Sequence, residues 1–369
     1  MHPLTPAERN SWISTSTLHE AADRLARAPS VAVVTHGKPD GDAVGSAVAL
    51  TRALIHRGRR AAAVFPPPYV ERFGAFVGRT PMLVIPEKAS GAEIEKSLGF
   101  EPKAIAVVDT GSWQQLGQAR AWLESRQDRV VIIDHHPSGD PAVGLSRHID
   151  PKAAACCELI ADVCRMITGA PSAKKLPLDV AEPLYLGLAT DTGFFRYSNV
   201  TPRAMRLAAD LIEAGADNVR IMQVSEQGER PARLRLLARA LANMKYIGDD
   251  RLAVISISDQ DLVDTGADLE ETSGLTDLPL SVASVRVVAV LTEVGGKVTK
   301  ISLRSKPPVG PLDPDVDVND AARALGGGGH VRAAGARINA PLKEAEPKVI
   351  AVLSAAVAAA PHGPREAGA

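Results

Sequence analysis

The chain has 369 residues and a formal net charge of −1, with 45% hydrophobic and 23% charged residues. These values are ordinary for a globular protein of about two domains, so they exclude wholesale disorder and collagen-like structure. The near-zero charge argues against a long basic footprint for duplex nucleic acid, and an aromatic content of 4% argues against extended base-stacking platforms.

In the first half of the chain, short β-branched runs alternate with helical patterns. Four runs are almost continuously apolar, as in strands that are buried on both faces of a parallel sheet: 31–35, 61–65, 104–109 and 130–134. Helical patterns lie between and after them, at 43–58, 90–99, 113–125, 153–168 and 179–190. The alternation predicts an α/β fold with an open, mostly parallel sheet and helices on both faces.

The pattern changes near residue 216. A charged helical stretch that includes 232–246 precedes β runs at 252–257, 284–294 and 297–305, the last two joined by Gly295–Gly296, a hairpin signal. A helix at 318–325 leads into four glycines, and the Ala-Ala-Gly after His330 looks helix-like. We predict five segments: an N-terminal extension 1–13, a first domain 14–215, a helical linker 216–247, a smaller α/β domain with a mixed sheet 248–358 and a disordered tail 359–369.

The chain shows no sign of a membrane span or a leader. No stretch reaches the roughly 18 consecutive apolar residues of a membrane helix, and MHPLTPAERN has neither the basic nor the apolar region of a signal peptide. Cys156, Cys157 and Cys164 have the spacing of neither a disulfide framework nor a zinc site, so we interpret them as core residues. We therefore predict a cytoplasmic protein with no membrane association.

The first chemical motif, Thr-His-Gly-Lys-Pro-Asp-Gly-Asp, follows the first predicted strand and enters a helix. Ligands of open α/β sheets bind outside the carboxyl ends of the strands, which is where His36, Asp40 and Asp42 lie. Taken singly, Asp40 is better explained as a turn residue and Asp42 as a helix cap. One imidazole and two carboxylates within seven residues favour a metal site.

Three further segments bring similar groups to strand or helix ends. Asp109 ends the strand 104–109, the triplet Asp134-His135-His136 ends the strand 130–134, and Asp191 ends the helix 179–190. Each segment alone has an ordinary structural explanation. Asp109 could cap a helix, a histidine after a strand is usually structural, and the Asp-Thr-Gly at 191 is a common turn. Together they predict one cluster at the same edge of the sheet.

Four carboxylates, Asp40, Asp42, Asp109 and Asp191, cannot share a small site as bare anions, so cations must neutralise them or some must bind protons. Together with His36 and His135 they form six ligands, which is too many for one catalytic ion with an open position. Two divalent ions are therefore expected, and the mixed imidazole and carboxylate ligands favour Mn²⁺ over Mg²⁺. A pair of ions can clamp the oxygens of an in-line phosphoryl displacement.

The last motif is the run Gly326–Gly329 followed by His330. It lacks the Lys-Ser/Thr of a Walker loop and follows a helix rather than a strand, which excludes a Rossmann fingerprint. Its backbone N–H groups can face an anion, and His330 can donate to a phosphate. A flexible linker is the alternative, but the flanking His330 and Ala-Ala-Gly favour a shaped loop. Arg304 is a second phosphate-binding candidate, and its alternative is a solvated strand arginine.

Read together, these motifs resemble the DHH phosphoesterase superfamily, in which Asp134-His135-His136 corresponds to the triplet that gives the name. The Gly-Gly-Gly-His loop resembles that of the DHH-associated domain, and the order of motifs over residues 14 to 345 looks like the nano-RNase/pAp phosphatase group. Such proteins are cytosolic and hydrolyse very short oligonucleotides and pAp, and some hydrolyse cyclic di-AMP or pApA.

The resemblance implies a role for each residue. His36, Asp40 and Asp109 would hold one metal ion, and Asp42, Asp109, His135 and Asp191 a second, with Asp109 bridging. Asp134 would orient a ligand histidine, and His136 would lie near the scissile phosphate. Asn319 would be structural. The second domain would bind substrate through a set of residues that are close in sequence: Arg304, Ser305, Gly327, Gly328, Gly329 and His330.

The expected enzyme is an Mn²⁺-dependent phosphodiesterase and phosphatase with its active site between two domains. Two metal ions would activate a bridging hydroxide that cleaves nano-RNA, pApA or cyclic di-AMP to mononucleotides and pAp to AMP and phosphate. The alternatives are a pyrophosphatase-like phosphohydrolase and a non-catalytic nucleotide sensor. Related proteins are often dimers, so the resemblance allows a homodimer, and the sequence leaves the ranking of substrates and the direction of cleavage open.

Overall fold

The structure is a computed structural model that describes residues 11–69, 71–310 and 312–361. The chain divides into two compact units, Met1–Gly228 and Glu229–Ala369. Most of the predicted extension 1–13 and of the predicted tail 359–369 lies outside the described residues. Among the described residues, no helix combines the length and the apolar character that crossing a membrane requires.

The first unit contains a six-stranded parallel sheet with the order β3-β2-β1-β4-β5-β6. Its strands are β1 Ser30–Val34, β2 Arg60–Phe65, β3 Met82–Val84, β4 Ala104–Val108, β5 Val130–Asp134 and β6 Ser146–Ile149. The order reverses direction between β1 and β4, so the loops after these two strands diverge and leave a crevice at their carboxyl ends. The predicted parallel α/β architecture is confirmed, and β3 and β6 are additions that the apolar pattern did not reveal.

The helices of the first unit cover both faces of this sheet. They are α1 Leu18–Arg27, α2 Gly41–His56, α3 Gly74–Val77, α4 Gly91–Leu98, α5 Trp113–Leu116, α6 Arg120–Glu124, α7 Cys156–Thr168, α8 Leu178–Asp191, α9 Pro202–Glu213 and α10 Asn218–Glu226. Alternate residues of β1 enter two separate cores: Val31 and Val33 pack on one face, and Ala32 and Val34 pack on the other. This double burial explains why the strands are apolar throughout.

One predicted helix is wrong in detail. The segment 113–125 is divided into α5 and α6 by a 3-10 turn at Gly117–Ala119. Gly117 has φ +47°, a backbone conformation that glycine adopts at little cost and that ends an α-helix. The buried apolar spacing continues across the break, and for this reason the pattern alone indicated one helix.

The second unit contains a mixed sheet with the order β11-β12-β10-β9-β8-β7. Its strands are β7 Lys245–Ile247, β8 Leu252–Ile257, β9 Val287–Val294, β10 Val298–Ser305, β11 Gly328–His330 and β12 Ala333–Ile338, and its helices are α11 Pro231–Ala242, α12 Asp259–Thr265, α13 Asp277–Leu280, α14 Val318–Ala324 and α15 Leu342–Ala359. The predicted hairpin is confirmed, with φ +62° at Gly295 and +65° at Gly296. The helix-like interpretation of Ala333–Gly335 is wrong, because these residues form β12 and pair with β10 and β11.

The segment 216–247, expected to be a linker, contributes to both units. Helix α10 belongs to the first unit, where Ile221 joins the main core. Helix α11 belongs to the second unit, where Ala232, Leu236 and Ala240 pack against β8 and β9 residues. The division between the units falls between Gly228 and Glu229, and the other predicted domain limits remain predictions.

Candidate active site

The site forms at the carboxyl ends of β1 and β4, where the strand order reverses. His36 lies two residues beyond β1, and Asp109 directly follows β4. Ligand sites of open α/β sheets occur at such a reversal, because the loops on its two sides separate there. The sheet topology therefore places an imidazole and a carboxylate on either side of the crevice.

Asp109 is the centre of the cluster. It is 2% exposed, and its φ of +61° lies in the left-handed region, which among residues other than glycine favours Asp and Asn. Its Oδ2 lies 3.6 Å from His36 Nε2, and its Oδ1 lies 3.5 Å from His135 Nε2. Among the described residues, no group donates a hydrogen bond to the buried Oδ1. A buried carboxylate oxygen without a donor is suited to a cation.

Helix α2 brings two carboxylates to the crevice, and they have different local roles. Asp40 is the N-cap of α2, and its Oδ1 accepts hydrogen bonds from the N–H groups of Asp42 and Ala43 at 3.1 and 3.0 Å. Asp42 is buried, and its carboxylate accepts hydrogen bonds from the backbone N–H groups of Cys156 at 2.5 Å and Cys157 at 2.9 Å. Asp42 therefore caps the start of α7, a helix more than a hundred residues away in sequence, rather than its own helix.

Close packing of α2 on α8 brings Asp191 to the same place. A Cβ added at Gly41 would lie 2.2 Å from Thr190 Oγ1, and one at Gly45 would lie 2.3 Å from Pro183 O. One at Gly187 would lie 3.0 Å from the Cα of Asp42 in α2. These glycines permit the two helices to approach, so the carboxyl end of α8, with Asp191, lies beside the amino end of α2.

Asp134 organises the triplet at the end of β5. Its buried Oδ1 accepts hydrogen bonds from the N–H groups of His135 and His136 at 2.8 and 3.2 Å, and it lies 2.7 Å from His136 Nδ1. The ring that Asp134 contacts is that of His136, whereas His135 Nδ1 lies 3.3 Å from the carbonyl of Ala153. That Asp134 orients a ligand histidine remains a prediction. His135 Nε2 then lies 3.8 Å from both Asp42 Oδ2 and Asp191 Oδ2.

The potential ligand atoms form three overlapping groups within which all atoms lie within 4.8 Å of one another. The groups are His36, Asp40 and Asp109; Asp42, His135 and Asp191; and Asp109, His135 and His136. The first two correspond to the two predicted ligand sets, and the third places Asp109 beside the second set as well. With the donor-free oxygen of Asp109, this arrangement of imidazoles and carboxylates fits divalent cations of the middle of the first transition series.

The ionisable side chains of this cluster shift one another's pKa values. Burial lowers the pKa of His36, but Asp109 and Asp40 outweigh it and raise the pKa to about 9. Burial likewise lowers the pKa of His135, and Asp109, Asp42 and Asp191 raise it to about 10. Burial raises the pKa of Asp191 to about 6 and that of Asp42 well above its ordinary value. For Asp109, burial raises the pKa but the two histidines prevail and lower it.

These pKa values predict that metal binding becomes tighter as the pH rises. At pH 7, His36 and His135 are protonated in the metal-free chain, because their pKa values of about 9 and 10 lie above 7, and only a neutral imidazole can ligate a cation. Each displaced proton should increase the apparent affinity by about tenfold per pH unit. Titration calorimetry with Mn²⁺ at pH 6, 7 and 8, in buffers of different ionisation enthalpy, measures both the affinity and the protons released. An affinity independent of pH would contradict the protonation states described here.

In the second unit, Arg304 and His330 lie on one face of the mixed sheet. Arg304 of β10 pairs with Ala333 of β12, and Ala333 pairs with His330 of β11. Residues in register across antiparallel strands point to the same face of the sheet. The exposed side chains of Arg304 and His330 are therefore ~10 Å apart, the width of two strand spacings, with Ala333 between them. Asn319 Oδ1 accepts a hydrogen bond from the backbone N–H of Gly329 at 2.8 Å. This contact holds the glycine loop and is the kind of structural role that the resemblance implied for Asn319.

A cavity of about 230 Å³ opens on the same face. Its lining includes Lys300, Ser302 and Arg304 from β10, with Gly328 and the turn at 272–276. Sequence reasoning did not select Lys300 or Ser302. The signal was present in the alternation of Lys-Ile-Ser-Leu-Arg-Ser, in which every second residue faces this cavity. The turn at 272–276 carried no comparable signal.

Two of the predicted substrate residues make contacts that support the fold of the second unit. Ser305 is 6% exposed, and its hydroxyl donates to the carbonyl of Val316 at 2.9 Å, on the face opposite to Arg304. Neighbouring residues of a strand face opposite sides, so Ser305 faces away from Arg304, and a contact of Ser305 with substrate remains a prediction. A Cβ at Gly327 would lie 2.1 Å from the carbonyl oxygen of Gly335, so this glycine allows the loop to approach β12. Gly328 lines the cavity, and Gly329 pairs with Ala334.

The family of the chain follows from its two halves. Residues 30–188 match the DHH family, N-terminal domain, and residues 249–359 match the DHHA1 domain. The chain thus belongs to the DHH family and carries a DHHA1 domain after its DHH domain.

Particular relatives cover most of the chain. The bifunctional oligoribonuclease and PAP phosphatase NrnA of Thermus thermophilus is 28% identical over 313 residues, which make up 83% of either protein. The cyclic-di-AMP phosphodiesterase PdeA of Listeria monocytogenes is 25% identical over 362 residues, 95% of this chain but 51% of that protein. The crystal structure of an exopolyphosphatase-related protein from Bacteroides fragilis is similar in fold, with a TM-score of 0.80 and 24% identity over 96% of this chain and 98% of that one.

Proposed function

We propose that this chain is a hydrolase that cleaves short oligoribonucleotides, such as nano-RNA and pApA, to mononucleotides, and pAp to AMP and phosphate. Two divalent ions, Mn²⁺ by the chemistry of the donors, are its cofactors. Cyclic di-AMP is a further substrate to test, because the relatives include a cyclic-di-AMP phosphodiesterase. The observation that carries the proposal is the donor-free oxygen of Asp109 between two groups of imidazole and carboxylate ligands.

The three ligand groups support two metal positions. His36, Asp40 and Asp109 would hold the first ion, and Asp42, Asp109, His135 and Asp191 the second, with Asp109 shared. When bound, such ions supply Lewis acidity, which makes a water molecule nucleophilic near neutral pH and neutralises phosphate charge. The protein contributes a rigid set of donors: Asp42 is fixed by two amides of α7, and Asp40 by two amides of α2.

His136 is the candidate group for the leaving oxygen. Its Nδ1 is engaged by Asp134, and 44% of its side chain is exposed, so Nε2 is the ring nitrogen that can face a substrate. The hydrogen bond with Asp134 raises the pKa of His136, which favours the imidazolium form. We assign to His136 the stabilisation of charge at the scissile phosphate and the transfer of a proton to the departing ribose oxygen.

The second unit supplies the recognition of substrate phosphate. Arg304 offers a planar fork of donors that matches a phosphate group, and His330 stands on the same face. Lys300 and Ser302 add a cation and a hydroxyl along the cavity. The near-zero net charge of the chain supports the preference for short substrates over long nucleic acid.

We place the enzyme in the cytoplasm, where its substrates would be produced by the decay of longer RNA. All three cysteines are free and buried, which is compatible with a reducing compartment. Burial raises the pKa of each thiol, so these cysteines have no reactive thiolate and serve the core.

The test is product analysis of the purified protein with Mn²⁺ and pApA, with parallel reactions on pAp, cyclic di-AMP and pyrophosphate. We expect AMP from pApA and AMP plus phosphate from pAp, and no product after removal of metal by a chelator. Turnover of pyrophosphate alone would favour a pyrophosphatase-like enzyme. Nucleotide binding without any product, with both metal ions confirmed as bound, would favour a sensor.

A further inference from the structure

The described chain begins with a segment that lies before residue 30, where the match to the DHH family starts. Residues 11–17, the N-terminal strap, run along the edge strand β6. The N–H groups of Thr15 and Ser16 donate to the carbonyl of Arg147 at 2.8 and 3.0 Å. The hydroxyl of Ser14 donates to the carbonyl of Ile149 at 2.9 Å and accepts the N–H of the same residue at 2.8 Å.

Trp12 extends from this strap to the loops of the candidate active site. Its indole Nε1 donates to the carbonyl of His136 at 3.0 Å. Its ring lies against two glycines: a Cβ built at Gly111 would lie 1.7 Å from the ring, and one built at Gly139 would lie 2.5 Å from it. Only glycine fits at these two positions while the indole is in place.

The two glycines belong to the two loops that carry catalytic groups. Gly111 is two residues after Asp109, and Gly139 is three residues after His136. The loops also contact each other directly, because the N–H of Asp140 donates to the carbonyl of Gly111 at 2.7 Å. The indole therefore packs against both loops where they meet and bonds one of them at His136.

We propose that Trp12 is a positioning residue of the active site, which holds the loop of His135 and His136 in register with the loop of Asp109. This inference rests on the proposed function, and it assigns part of the active-site architecture to the N-terminal strap. A shift of about 1 Å in reacting groups can cost ~10²-fold in rate, so a side chain that fixes both loops should act on the chemical step more than on substrate binding.

The kinetic test compares Trp12→Ala, Trp12→Phe and the control Ser14→Ala with pApA and Mn²⁺. Ser14 anchors the same strap and has no hydrogen bond to either loop. We expect Trp12→Ala to lower kcat by ~10-fold or more with KM within about twofold, and Trp12→Phe, which keeps a ring but loses the N–H donor, to fall between it and the wild type. Ser14→Ala should keep kcat within about twofold even where its Tm falls. A kcat of Trp12→Ala near that of the wild type, or an equal loss in Ser14→Ala, would overturn the proposal.

A second readout does not depend on activity. The N–H groups of His135, His136 and Asp140 are hydrogen-bonded, so their hydrogen–deuterium exchange reports the order of the loop. Exchange in this loop should be faster in Trp12→Ala than in Ser14→Ala, and equal exchange in the two variants would contradict the positioning role. If the wild type hydrolyses none of the substrates, the proposed function fails, while the exchange comparison still decides whether Trp12 orders the loops.

The contact itself can be tested with Gly111→Ala. Because the three atoms nearest to the added Cβ all belong to Trp12, this substitution should lower the Tm in the wild-type background. It should lower the Tm by less when Trp12 is already alanine, because the space is then open. Equal losses in the two backgrounds would show that Trp12 does not pack on Gly111 in solution.

Discussion

Replacement of Asp109 by asparagine should lower the hydrolysis of pApA by ~10³-fold or more, a loss of about 4 kcal/mol in transition-state stabilisation. Asp109 lies between His36 and His135, and it is the residue that both proposed metal ions share. Asparagine is the informative replacement, because it tolerates the φ of +61° that would strain an alanine. Its amide has no negative charge to hold two cations.

The measurement is AMP release together with metal content per chain. The wild type should contain two Mn²⁺ ions and Asp109→Asn at most one, with the variant still folded by circular dichroism. Asp128→Asn, which alters an exposed carboxylate of the same unit, is the matched control and should retain the wild-type values. Near-normal turnover in Asp109→Asn would refute the assignment of two metal ions that share this residue.

The second large effect is expected from Arg304→Ala. A charge-assisted, bidentate hydrogen bond to phosphate contributes on the order of 1.5–3 kcal/mol, so its loss should lower kcat/KM for pApA by ~10- to 100-fold. The fall in kcat/KM should be smaller in Arg304→Lys than in Arg304→Ala, since lysine keeps the charge but not the fork of donors. Mn²⁺ stoichiometry should stay at the wild-type value, because Arg304 is in the second unit and every proposed metal ligand is in the first.

Arg323→Ala is the control for this experiment. It removes the same charge from the same unit, from an exposed side chain of α14 that pairs only weakly with Asp320 at 3.8 Å. Steady-state kinetics of the three variants would separate a local contact from a general loss of positive charge. A similar fall in kcat/KM for Arg323→Ala and Arg304→Ala would argue against phosphate recognition by Arg304.

Much of the architecture could be predicted because its signals are local. Runs such as Val31–Val34 and Val130–Ile133 are apolar throughout, and strands buried on both faces require this. Since parallel strands end at one edge, residues that follow those runs are expected to meet, and the structure brings His36 and His135 to within 3.6 Å of the Asp109 carboxylate. The hairpin at Gly295–Gly296 was equally local, because two residues of positive φ determine the turn.

Other features depended on contacts between distant segments. The break at Gly117 leaves the apolar spacing unchanged, so periodicity could not reveal it. The side of β10 that faces the cavity includes Arg304 and excludes Ser305, a distinction that requires knowledge of which face is covered. The sequence likewise could not show that Asp134 contacts the ring of His136 rather than that of His135, because this choice depends on side-chain orientation.

The fold class, the order of the motifs and the chemical type of the clustered groups could all be predicted from the amino-acid sequence. Each of these depends on residues that are close in the chain, through strand periodicity, turn chemistry or the composition of a strand end. Tertiary structure alone decided that Asp42 caps α7, that α2 and α8 approach through Gly41, Gly45 and Gly187, and that Trp12 packs against Gly111 and Gly139. These contacts join segments tens to more than a hundred residues apart, so the packing of the whole unit, rather than any local preference, determines them.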